Sequence, residues 1–230
     1  MKKLLSLCLL SIIMMSCNQS KNPFFEEYDT PYGAVPFDKI KVEHFMPAFQ
    51  EGIKQQTAEI EAIVNNPEAP TFENTLEAME NSGQLLSKVS YVFSCLTGAE
   101  TTNELTALSM EVSPLLSAHS DNISLNDKLF QRVKAVYEQR NQLGLNAEQL
   151  RLVEESYDSF LNSGATLQGE EREKYRELRA KLSQLTMTFG QNALKATNAF
   201  SKHVTDIKEL SGMPEGELEK AAAKGVNFVL

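Results

Sequence analysis

GEEREKYRELRAKLSQLTMTFGQNALKATNAFSK, residues 169–202, decides the fold. Between Glu170 and Lys202 the single breaker is Gly190. Tyr175, Leu178, Leu182, Leu185 and Phe189 recur at spacings of three and four, with Leu194 continuing the row. That is the period of one helix face, not the alternation of a strand. The stretch predicts one long amphipathic helix with an apolar stripe along one side.

The same signature repeats upstream. Phe45, Ala48, Phe49, Ile53, Ile60, Ile63 and Val64 form a stripe that starts near Lys41 and ends at Asn65-Asn66-Pro67. Pro47 fits this helix if it occupies the first turn. Thr71 is the expected N-cap of a second helix, with Phe72, Leu76, Met79, Leu86, Val89 and Phe93 inward and Gly98 at its end. Thr101 and Glu104 match a capping box that opens a third helix, with a kink or break expected at Pro114. Asn126 caps a fourth, which Gly144 stops. Asn146 and Gln149 open a fifth, through Tyr157, Phe160 and Leu161. Only the last residues, from Val226 to Leu230, read as strand. The fold class expected is all-α: an antiparallel multi-helix array, with the long helix near 169–202 and an extended N-terminal arm before the array.

That arm, residues 18–40, carries Pro23, Pro31, Gly33 and Pro36, which oppose helix. Its five aromatics (Phe24, Phe25, Tyr28, Tyr32 and Phe37) are expected to pin it to the helical body.

Residues 1–17, MKKLLSLCLLSIIMMSC, read as an address. Lys2 and Lys3 precede an apolar run of about a dozen residues, short of the roughly 20 that span a bilayer. Met14-Met15-Ser16-Cys17 resembles a bacterial lipobox, in which the cysteine becomes the lipidated N-terminus. Cys17 is therefore the expected lipidation site, and export with anchoring at a membrane of the bacterial envelope (periplasm or outer membrane) is the expected location. The alternative is a plain secretory signal cleaved near Ser16. Cys8 leaves with the leader in either case. Cys95 then stands alone, unable to form an internal disulfide, and its apolar surroundings from Val89 to Leu96 predict a buried, inert thiol.

Composition narrows the function classes. Of 230 residues, 42% are apolar and 23% charged, so the chain has material for a folded core. The net charge of −9 and the lack of a Lys/Arg cluster argue against nucleic acid as a partner. His44, His119 and His203 form no i, i+4 pair, and no H-E-x-x-H occurs, so neither a metal nor a catalytic residue is assigned to this chain. His44, beside Glu43, is expected to make a local hydrogen bond at a helix start. His119 is expected near a helix end, where a cation suits the dipole. The acidic pairs Glu154-Glu155 and Glu170-Glu171 read as solvated faces. A nucleophile elbow and a phosphate loop are both absent.

Some phrases are more specific than helix-forming composition. They run in order: PFDKIKVEHFMPAF at 36–49, TFENTLEAME at 71–80 with Ser82-Gly83, LSAH at 116–119 with Asp121-Asn122-Ile123, LNDKLF at 125–130, FLNSGA at 160–165 and LSGMPE at 210–215. Together they resemble the N-terminal region of the thimet-oligopeptidase family of zinc metallopeptidases, nearest its peptidyl-dipeptidase and oligopeptidase A branch. The likeness runs from about 23 to 225.

The resemblance implies a wall of helices beside a channel for short peptides. It also implies zinc in the full-length enzyme, held by an H-E-x-x-H helix and a further Glu that lie beyond this stretch, so none of those groups maps onto a residue here. In that reading 41–225 is the helical N-terminal domain, 226–230 is a truncated tail, and the chain alone is inactive. The alternative is a non-catalytic helical lipoprotein that binds peptides or a partner protein.

Overall fold

A computed structural model describes residues 22–99, 102–223 and 227–228. Its helices are α1 (Val42–Val64), α2 (Ala78–Glu80, which continues a π-helical turn at Phe72–Glu77), α3 (Gln84–Ala99) and α4 (Asn103–Ser124). They continue with α5 (Asp127–Gln139), α6 (Ala147–Asn162), α7 (Gly169–Ala199) and α8 (Glu215–Ala223). The all-α expectation holds. Beside the helices lies a two-residue antiparallel ladder, β1 (Lys202–His203) with β2 (Asn227–Phe228). The chain divides into two compact units, 1–176 and 177–230, and the boundary falls within α7.

The helix ends follow local chemistry. Thr71 Oγ1 accepts from Asn74 N–H at 3.1 Å while Asn74 Oδ1 accepts from Thr71 N–H at 2.8 Å. Asn146 and Gln149 close the same reciprocal pair at the start of α6, while Asn126 caps α5 one way, its Oδ1 accepting from Leu129 N–H. α4 is capped by Thr102, whose hydroxyl accepts from Leu105 N–H. Gly144, at φ +66°, ends the fourth helical stretch.

The first unit holds two cores, and α1 runs through both. Its N-terminal half places Phe45, Ala48 and Phe49 against Phe24 of the arm, Leu86, Val89 and Val92 of α3, and Leu108 and Val112 of α4. Phe93 closes edge-on to Phe45 and Phe49, with ring centroids 5.1 and 5.5 Å away. The C-terminal half of α1 places Ile60 and Ile63 against Phe72, Leu76, Leu129, Phe130, Val133, Val136, Val153 and Phe160. Gly52 lies between the cores. A Cβ there would stand 2.9 Å from the Leu86 Cα, so glycine is what lets α3 approach α1 this closely.

Several expectations are corrected. The second helix is not continuous: it breaks at Asn81–Gly83, where Gly83 takes φ +71°. Phe72 and Leu76 belong to one core, Leu86 and Val89 to the other, so the chain turns between them. Pro47 lies one turn inside α1, and α4 runs unbroken through Pro114. In each case the carbonyl freed four residues earlier, on Glu43 or Met110, belongs to an exposed residue that water can reach.

The arm is not simply extended, since Pro23–Phe25 and Pro31–Gly33 form 3₁₀ turns. Nor do all its aromatics pin it. Phe24 is buried and Tyr28 half-buried, whereas Phe25, Tyr32 and Phe37 are exposed. Cys95 is exposed on α3, not buried, because Val89 and Val92 take the inward positions.

Candidate functional site

Phrases far apart in the sequence meet in the first unit. A cleft of about 400 Å³ is lined by Gln56 of α1, Met79 of α2, Leu116 and His119 of α4, and Phe160 and Ser163 at the end of α6. These come from four separate segments, and in three of them the lining residues fall inside phrases of the family resemblance. One polar relay crosses the cleft. His119 Nε2 stands 2.8 Å from Gln56 Oε1, Gln56 Nε2 donates to Ser82 Oγ at 3.2 Å, and Ser82 Oγ donates to the Met79 carbonyl at 2.7 Å.

This relay fixes the state of His119. Gln56 spends its NH₂ on Ser82, so its oxygen accepts, and His119 Nε2 carries the proton. Burial pushes the pKa of His119 below the ordinary histidine value, which keeps the ring neutral at pH 7. His119 does lie in the last turns of α4, as expected, but it is buried, so the cation expected there is corrected. The turn at 81–83 is docked onto α1. Gly83 N–H donates to Glu59 Oε2 at 2.7 Å, and a Cβ on Gly83 would lie 2.5 Å from the Gln56 carboxamide.

A second, wider groove of about 900 Å³ lies between the arm, α1 and α3, with Phe25, Glu26, Gln50, Lys54 and Lys88 on its walls. Lys88 ties the arm down there. Its ammonium donates to the carbonyls of Phe24 at 3.2 Å and Glu26 at 2.7 Å, and sits 4.0 Å from the Tyr28 ring centroid. Desolvation by burial lowers its pKa, opposed by the charge of Glu27.

His44 does make the local bond that its position suggested. Its Nδ1 accepts from Lys41 N–H at 3.0 Å and closes the first turn of α1. It is buried, however, and its Nε2 has no hydrogen-bond partner among the described residues. Of His203 only the backbone is described, in β1. Cys17 and the leader lie outside the described residues. The acidic pairs do face solvent: Glu154 pairs with Arg140 and Glu155 with Arg151 along or beside α6.

Sequence reasoning missed Arg132. It is buried, and its guanidinium donates to the carbonyls of Asn66 and Glu68 and to Asn74 Oδ1, at 2.9–3.2 Å. It thereby clamps the loop after α1 to the cap of the next turn. A lone arginine in a helix with strong amphipathicity carries no local sign of that task.

The cleft offers hydrogen bonding and apolar contact. Its histidine is committed to a carboxamide, not to a nucleophile. Zinc does not fit the residues present: among the described ones, no three His, Cys, Asp or Glu side chains lie close enough to share an ion. Among the described residues, no helix is long and apolar enough to cross a membrane.

The first unit thus presents two clefts lined by apolar and hydrogen-bonding side chains. Comparison with known proteins finds relatives along most of the chain. No family model matches the chain. It is 44% identical over 203 residues to the dipeptidyl carboxypeptidase of Salmonella typhimurium, covering 88% of this chain and 30% of that protein. The dipeptidyl carboxypeptidase of Escherichia coli is 42% identical over 201 residues, with 87% and 30% covered. Oligopeptidase A of Escherichia coli is 29% identical over 195 residues, with 85% and 29% covered. The chain is similar to dipeptidyl carboxypeptidases and oligopeptidases A, and aligns to the N-terminal part of those proteins. It spans about three tenths of the length of these curated relatives.

Proposed function

We propose that this chain is the channel-wall portion of a zinc-dependent oligopeptidase or peptidyl-dipeptidase that hydrolyses short peptides and releases dipeptides from their C-termini. The observation that carries the reading is the 44% identity to a dipeptidyl carboxypeptidase, sustained over 203 residues. The helical body around 41–225 orders and positions. The metal chemistry belongs to the remaining segment of the enzyme, so the chain alone is inactive. Residues 1–17 form the leader and Cys17 the lipid anchor, which holds the protein at a membrane of the bacterial envelope.

A chimera tests the activity. The matched N-terminal three tenths of the Salmonella dipeptidyl carboxypeptidase is replaced by residues 22–223 of this chain. The folded chimera should release C-terminal dipeptides from blocked short peptides, and a chelator should stop it. A folded chimera with no activity beside an active parent overturns the reading. Peptide binding by the chain alone, combined with an inactive chimera, supports a non-catalytic peptide-binding lipoprotein instead. The anchor is tested by mass spectrometry of the exported protein: a diacylglyceryl-modified Cys17 is expected, and an unmodified N-terminus at or near Cys17 contradicts it.

A further inference from the structure

Where the arm meets the start of α1, two polar groups are shut away from water without a protein partner. His44 has only 7% of its surface exposed, and its Nε2 makes no hydrogen bond among the described residues. The hydroxyl of Tyr28 is buried and unpaired in the same way. A buried group left unpaired forfeits its hydrogen bonds to water, so folded proteins rarely leave one so. These two are not scattered. Both line one further cleft of about 310 Å³, enclosed by residues 23–30 of the arm and by Pro36, Lys39, Lys41 and His44.

The hydrogen-bonding character of both groups is fixed. His44 Nδ1 accepts from Lys41 N–H, so in the neutral ring Nε2 carries the proton and can only donate. It therefore has no lone pair to offer a metal ion. Burial raises the pKa of Tyr28, which keeps its hydroxyl protonated and able to donate. The carboxylate of Glu43 does not meet this need, since its Oε1 lies 3.9 Å from His44 Nε2, beyond a hydrogen bond.

The charges around the cleft are sorted by segment. Glu26, Glu27 and Asp29 stand on the arm, and Lys39 and Lys41 on the opposite stretch. A simple anion would meet the three carboxylates, and a simple cation the two ammonium groups. A ligand with one charge of each sign finds a complement at both ends. The walls are also held in place before any ligand arrives. Asn22 Nδ2 donates to the His44 carbonyl at 2.7 Å, and Lys88 ties down the carbonyls of Phe24 and Glu26.

We propose that this cleft binds a small zwitterion of the α-amino-acid or dipeptide class. Its carboxylate accepts from His44 Nε2–H and the Tyr28 hydroxyl, beside Lys39 and Lys41, and its ammonium group faces Glu27 and Asp29. A volume of about 310 Å³ lies at the lower end for small-molecule sites, which suits a ligand of this size. The ligand class is set by these walls and does not rest on the peptidase reading.

Calorimetric titration of the full chain with alanyl-alanine and with free alanine tests it. At least one of the two should bind saturably at one site per chain. For the probe that binds, the N-acetylated form lacks the ammonium group and the C-terminal amide lacks the carboxylate. Each should bind at least about tenfold more weakly, as for loss of a charged hydrogen-bonding group. Tyr28→Phe keeps the ring beside Lys88 and removes only the hydroxyl, and should raise Kd about three- to tenfold. Asp29→Asn, at an exposed position, should raise it about two- to fivefold. Glu155→Gln on α6, which does not line the cleft, should leave it unchanged. His44 is kept intact, because its Nδ1 also closes the first turn of α1. Its own part is read from the Nε2–H resonance in an imidazole ¹H–¹⁵N spectrum, which should shift as the probe is added.

Absence of saturable binding by both probes overturns the proposal. So does equal binding of the acetylated or amidated form, or of acetate, or an unchanged Kd in folded Tyr28→Phe. An Nε2–H resonance that stays in place at saturation overturns it as well. None of these outcomes bears on whether the chimera cleaves peptides, so the two readings fail separately.

Discussion

α1 and α7 read alike in the sequence and differ in the structure. Both carry an apolar stripe at helical spacing, from Phe45 to Val64 in α1 and from Tyr175 to Leu194 in α7. α1 buries His44, Phe45, Ala48, Phe49, Gly52, Ile60 and Ile63, and it joins two cores. α7 buries none of its residues fully. Periodicity therefore reports which side of a helix is apolar and not what lies against it. The occupant is supplied by other elements, and for α1 they are all within the first unit.

The contrast can be broken at four points. The largest effect is expected from Phe45→Ala, which empties the aromatic cluster with Phe24, Phe49 and Phe93. It should cost about 3–5 kcal/mol in urea unfolding of the first unit. Gly52→Ala should cost about 1–3 kcal/mol, since its Cβ meets backbone of Leu86 and not a flexible side-chain end.

The third effect is in pH. The folded pKa of His119 lies below its unfolded value near 6.5. Its contribution is fully present above that value and is lost as pH falls through the folded pKa, because the unfolded chain takes up the proton first. The urea midpoint should drop between pH 7.5 and 5.5, and His119→Asn, which keeps a donor toward Gln56 but does not titrate, should flatten that part of the slope. The smallest effect belongs to α7. Leu185→Ala in the isolated chain should shift stability by no more than about 0.5 kcal/mol, as an exposed position does. A loss comparable to that of Phe45→Ala would erase the contrast.

What was legible in the sequence was what local chemistry decides. Thr71, Asn126 and Asn146 cap helices because a side-chain oxygen reaches an amide three residues on, and Gly144 stops one because it adopts a positive φ. The break at Gly83 was hidden because Phe72 to Phe93 keeps a helical period on both sides of it, and only the existence of two cores requires the turn. Pro114 looked like a break because its solvent-facing position, which makes the lost hydrogen bond tolerable, is a tertiary fact. The candidate cleft was partly legible. His119, Ser82-Gly83 and Phe160 to Ser163 stood in the family-like phrases, but Gln56, which joins them, lies in none. Arg132 and the exposure of Cys95 depend on which neighbours a helix face meets, and the sequence does not state that.

The most direct measurement is thiol labelling of Leu185→Cys on α7 beside Ala48→Cys on α1. The thiol at 185 should react as freely as the exposed Cys95. The thiol at 48, on the buried face of α1, should react far more slowly. A thiol at 185 that reacts as slowly as the one at 48 would contradict the account.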